Sequence, residues 1–151
     1  MKLNLLSAIL VLGISSSALA KSGAEQFVSN YAKLPKSYDA VQFEGKALSG
    51  FQGRCVLAIT AGYMNDGMKY LSLMNDVGET MFVSIDSKKA YPGNVIKISQ
   101  RDEEVDEFNH HYPIVYSLKL EVDDGGKPLR AKGKIDRRFP YRDTNISCSF
   151  N

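Results

Sequence analysis

Apolar positions along the chain recur with two different periods. Ala24, Phe27, Val28 and Tyr31 fall at helical spacing behind Ser22-Gly23-Ala24-Glu25, a capping-box pattern, and Pro35 closes the segment. The spacing predicts one helix over about 22–34, too short to be stable alone, so its apolar stripe must dock on something. Beyond it the period drops to two. Runs near 40–45, 54–62, 68–74, 80–86, 94–100, 114–122, 129–136 and 144–150 read as about eight strands. Asn65-Asp66-Gly67, Asp76-Val77-Gly78, Pro92-Gly93 and Asp124-Gly125-Gly126 supply the turns between them.

Short consecutive strands with tight turns predict an all-β fold with one N-terminal helix. The expected architecture is an antiparallel meander of about eight strands, closed into a barrel (calycin-like) or stacked as a sandwich. A two-residue turn at Gly125-Gly126 sets Val122 opposite Leu129, Leu120 opposite Ala131 and Tyr116 opposite Ile135. The alternate positions then pair Glu121 with Arg130, Lys119 with Lys132 and Ser117 with Lys134, so one face is apolar and the other charged. In the central strands Leu57, Ile59, Ala61, Leu71, Leu73, Met81, Val83 and Ile85 share a face. Their second face is uncharged: Val56, Ala58, Thr60, Tyr70, Ser72, Met74, Thr80, Phe82 and Ser84. Such a surface expects a cover, either the N-terminal helix or a ligand or partner.

The first twenty residues have a different grammar. Met-Lys, an apolar run from Leu3 to Ile14 and Ser15-Ser16-Ser17-Ala18-Leu19-Ala20 match a secretory signal. Cleavage near Ala20 leaves residues 21–151 as a single domain in a secreted or periplasmic location. The run is too short to be a membrane-spanning helix. Cys55 and Cys148 are the only cysteines, and an even pair in an oxidising compartment predicts a disulfide.

Nineteen Lys and Arg stand against 17 Asp and Glu, a formal net charge of +2, which excludes a dedicated polyanion binder of the strongly basic kind. The charges are nevertheless segregated. Residues 102–107 hold five acids, followed by His110 and His111, and are expected to form a solvated connection between strands. No metal site or cofactor is expected there, since adjacent histidines do not converge on one point. The stretch 127–142 is basic, with Arg130, Lys132, Lys134, Arg137, Arg138 and Arg142 as candidate anion-binding residues. No nucleophile elbow, zinc signature or phosphate loop occurs.

Three functions follow as expectations. The first is an exported, non-enzymatic binding protein, taking a small apolar ligand or a protein partner such as a hydrolase on Tyr70, Met74 and Phe82. The second is docking of the basic stripe to an anionic surface or polymer. The third, a small secreted hydrolase or nuclease, requires His110 or His111 to approach an acid across a cleft.

Overall fold

Helix α1 (Gly23–Ala32) begins where its sequence caps it. The Ser22 hydroxyl accepts from the Glu25 N–H at 3.2 Å, and the Glu25 carboxylate accepts from the Ser22 N–H at 3.1 Å. These coordinates come from a computed structural model, which describes residues 20–32, 41–48, 53–61, 69–137 and 142–150. The expected signal segment before Ala20, the Asn65-Asp66-Gly67 turn, Arg138 and the end of the expected helix at 33–34 lie outside the described residues.

Eight antiparallel strands follow: β1 (Val41–Ala47), β2 (Arg54–Ala61), β3 (Lys69–Asn75), β4 (Thr80–Ser84), β5 (Val95–Val105), β6 (His111–Val122), β7 (Pro128–Arg137) and β8 (Thr144–Ser149). They form one sheet in the order β4-β3-β2-β1-β8-β7-β6-β5, curled into a nearly closed barrel. The seam lies between β4 and β5. There the Ser84 N–H and hydroxyl both donate to Gln100 Oε1, at 2.9 and 3.1 Å.

Three hairpins share one turn chemistry. Asn75, Asp106 and Asp123 each open a three-residue loop closed by a left-handed residue: Gly78 (φ 83°), Asn109 (φ 62°) and Gly126 (φ 82°). In each, the opening side chain accepts backbone N–H groups across the loop, as Asp106 Oδ1 does from Phe108 and His110, both at 2.9 Å. At Asp123 this replaces the two-residue turn expected at Gly125-Gly126. Val122 therefore pairs with Pro128, not Leu129, and a bulge at Leu129 restores the expected register from Glu121↔Arg130 to Tyr116↔Ile135. At Asp106 the turn corrects a second expectation. The acidic run is not a connection, because Asp102–Val105 continue β5 and pair with His111–Ile114.

The core lies inside the barrel and is filled by side chains: Leu57, Leu71, Leu73, Met81, Val83, Ile96 and Leu120 are all 0 % exposed. Along most of β6 and β7 the apolar residues face inward and the charged ones outward. Helix α1 closes one end of this interior. Its Ala24 N–H donates to the Gly93 carbonyl at 3.0 Å, Lys69 Nζ donates to the Tyr31 carbonyl at 2.7 Å, and Phe27 packs against the β6–β7 turn at Gly126. Ala24, Phe27, Val28 and Tyr31 all join the inward cluster. The helix thus covers the inward face, and it is not the cover of the Tyr70–Met74–Phe82 face. Gly133 marks a close approach of opposite walls, since a Cβ there would strike Met81 and Leu73.

Cys55 and Cys148 are joined, with Cα atoms 5.9 Å apart and a sequence separation of 93. The bond links β2 to β8 beside the β1–β8 ladder, which has only two register pairs, Lys46↔Ser149 and Ala47↔Cys148. It therefore clips the shortest ladder of the sheet among the described residues.

Candidate anion-binding site

The outer wall of β5, β6 and β7 is built by alternation. Ile96 and Ile98, Leu118 and Leu120, and Ala131 and Gly133 point inward, so Lys97, Lys119 and Lys132 point out. Register then sets these lysines in a row, Lys97 opposite Lys119 and Lys119 opposite Lys132. Opposed Cβ atoms in antiparallel pairs are about 4.5–5.5 Å apart, and like charges there are destabilising. The adjacent row is Ser99, Ser117, Lys134 and Asn145. Its short hydroxyl side chains leave a depression beside the lysines, a groove of about 590 Å³. Among the described residues Lys89, Lys97, Lys119, Lys132 and Lys134 line it, and no carboxylate does.

The nearest acids sit on its rim. Glu121 accepts from Lys119 Nζ at 2.6 Å, and Asp136 and Asp143 lie 2.9 and 3.2 Å from Lys134 Nζ. The Lys119 hydrogen bond, helped by the charges of Arg130 and Lys132 and opposed by desolvation, holds the Glu121 carboxyl below its ordinary value. The hydrogen bonds to Asp136 and Asp143 push the Lys134 ammonium upward. Among the described residues Lys119 and Lys134 form ion pairs, and neither Lys97 nor Lys132 does.

The expected stripe therefore splits. Arg130, Lys132 and Lys134 stand together on the outer wall, where Lys97, Lys119 and Lys89 join them. Arg137 belongs to the inward row instead. It is half-buried, its Nε donates to Glu104 at 3.1 Å and its Nη1 to Thr144 at 3.1 Å. With Arg142 it borders a separate cavity of about 420 Å³ that also holds Glu104, Asp106 and Tyr112. Those acids offset its arginines. Arg138 lies outside the described residues.

Tyr70, Met74 and Phe82 do share the outward face of β3 and β4, with Phe82 opposite Ser72 and 53 % exposed. His110 and His111 do not approach acids across a cleft. Each pairs within its own hairpin, His110 with Asp106 and His111 with Glu103, both at 3.0 Å, and both imidazoles are exposed. Burial draws the Asp106 carboxyl upward, but hydrogen bonds from His110, Tyr112 and the Phe108 N–H together hold it below its ordinary value. Among the described residues no group of His, Cys, Asp or Glu is arranged to hold a metal ion.

No protein-family model matches the chain, and neither does any curated protein or solved structure. The geometry alone carries the functional reading.

Proposed function

We propose that the chain is an exported binding protein that holds an anionic polymer or surface on the outer wall of β5–β7. The observation that carries this reading is a groove lined, among the described residues, by five lysines and no carboxylate. A wall needed only for solubility is served by alternating signs, which also stabilise cross-strand pairs. Three lysines in one row instead repel one another, a repulsion that a bound anion removes. Export rests on the signal grammar of residues 1–20, and the Cys55–Cys148 bond supports an oxidising compartment. Among the described residues no helix is long and apolar enough to cross a membrane.

Titration with a long-chain polyuronate and with anionic vesicles, across a salt series, tests the proposal. Each phosphate-like contact contributes roughly 0.7–0.9 to the log–log salt slope, so the groove predicts a slope of about 2–4 in magnitude. Lys97→Glu with Lys132→Glu should abolish binding. Absent or salt-insensitive binding overturns the proposal.

A second reading rests on Phe82, more than half exposed on a face the helix leaves uncovered. With Tyr70 and Met74 it supports a small apolar ligand or a protein partner such as a hydrolase. Enhanced fluorescence of an apolar dye that Phe82→Ser removes would support it, and an unchanged signal would not.

A further inference from the structure

We infer that the ligand is a linear acidic polysaccharide that runs from the lysine groove into a second basic cavity beside helix α1. This deepens the docking proposal and rests on it. The second cavity has a volume of about 450 Å³ and lies between α1 and the connection from β4 to β5. Among the described residues Lys21, Lys88 and Lys89 line it, with Glu25 as the single carboxylate. Lys89 lines both cavities, so the two adjoin at that side chain.

Lys89 is placed at the junction by Tyr91. Its ammonium lies 5.7 Å from the centroid of the Tyr91 ring, which is itself buried. Glu25 is already engaged by the Ser22 N–H, and the nearby Asp86 accepts the Lys88 N–H at 2.9 Å. Both carboxylates accept from backbone N–H groups, while Lys21 Nζ donates to the Ser29 hydroxyl at 3.2 Å.

The lining chemistry selects the polymer. Ser99, Ser117 and Asn145 in the groove, and Ser29 and Ser87 in the second cavity, can exchange hydrogen bonds with sugar hydroxyls. Single-stranded nucleic acid is gripped by aromatic faces on which bases stack. Among the described residues the one aromatic lining either cavity is Tyr91, buried and beneath the Lys89 ammonium. A flat bilayer is disfavoured for another reason: the groove is on the barrel's side wall, whereas the second cavity is at the end that α1 closes. A flexible chain can follow that bend.

Oligouronates of graded length, titrated against the protein expressed from its full coding sequence, test the inference. Affinity should climb with length until both cavities are spanned and then level off, as for linked sites. Lys21→Glu with Lys88→Glu should cut the affinity of long oligomers by about ten- to hundredfold and leave short ones unchanged. Lys21→Gln with Lys88→Gln should act in the same direction. Lys97→Glu should weaken all lengths. If short oligomers bind as tightly as long ones, or the Lys21 and Lys88 variants change nothing, the linear path is overturned while docking on the groove stands. Tighter binding of single-stranded DNA or of anionic vesicles at equal charge overturns the polysaccharide assignment. If no polyanion of any kind binds, the docking proposal itself fails.

Discussion

Replacing Lys97 by Glu should stabilise the fold and weaken anion binding at the same time. Lys97 faces Lys119 across the β5–β6 ladder, and β5 has no ladder on its other side. The substitution turns one like-charge pair into an opposite-charge pair. Each such pair is worth about 0.2–1 kcal/mol, with opposite sign in the two cases. Both groups are exposed, so solvent screening reduces the sum to about 0.5–1 kcal/mol. Lys119 already pairs with Glu121 at 2.6 Å, so the new carboxylate shares that ammonium and the gain lies toward the lower end of this range. Urea unfolding should show the midpoint rising by a few tenths of a molar with an unchanged m-value. In about 1 M salt, where the screening length falls to about 3 Å, most of that gain should vanish. Polyuronate affinity should fall about tenfold or more in the same variant. A lower midpoint, or a gain that persists at high salt, would refute the idea that the row stores repulsion.

Other consequences concern the frame. Tyr31 is 2 % exposed and its hydroxyl has no hydrogen-bond partner, so Tyr31→Phe should raise stability by about 1 kcal/mol, read as a higher thermal midpoint. Cys55→Ala with Cys148→Ala should cost about 4–5 kcal/mol from the 93-residue separation, measured by urea unfolding; a loss below 1 kcal/mol would contradict the clip at the β1–β8 join. Asp106 is held below its ordinary value in the folded state, so its contribution is present at neutral pH and lost as pH falls through the folded value. The protection factors of the Phe108 and His110 amides, corrected for the intrinsic pH dependence of exchange, should therefore fall at acidic pH, and Asp106→Asn should remove that dependence.

The strands were legible because alternation survives in nearly every one of them. Leu57, Leu71, Leu73 and Met81 on one face and the charged positions of β6 and β7 on the other fix the inside of the barrel without reference to coordinates. The end of β5 was hidden, since Asp102–Val105 carry the composition of a loop but take ladder positions opposite His111–Ile114. The signal was present in Asp106-Glu107-Phe108-Asn109, where an acid opens the loop and Asn supplies the left-handed residue that Gly supplies in the other two hairpins. Reading that turn also sets Lys97 opposite Lys119, which a local scan of the basic stretch misses because Lys97 belongs to a distant run. Lys89 had no local signal, because only the β4–β5 connection brings it to the groove. Arg137 went the other way: parity within β7 gives it to the inward row, away from Arg130, Lys132 and Lys134.

The central claim is that a local row of lysines, in a chain of almost balanced charge, binds an anionic polymer. The most direct test is the salt dependence of long-chain polyuronate binding, compared between the unmodified protein and the Lys97→Glu, Lys132→Glu double variant. The account predicts a log–log slope of about 2–4 in magnitude that collapses in the variant, with thermal stability kept or raised. An equal slope in both proteins, or binding indifferent to salt, would contradict it.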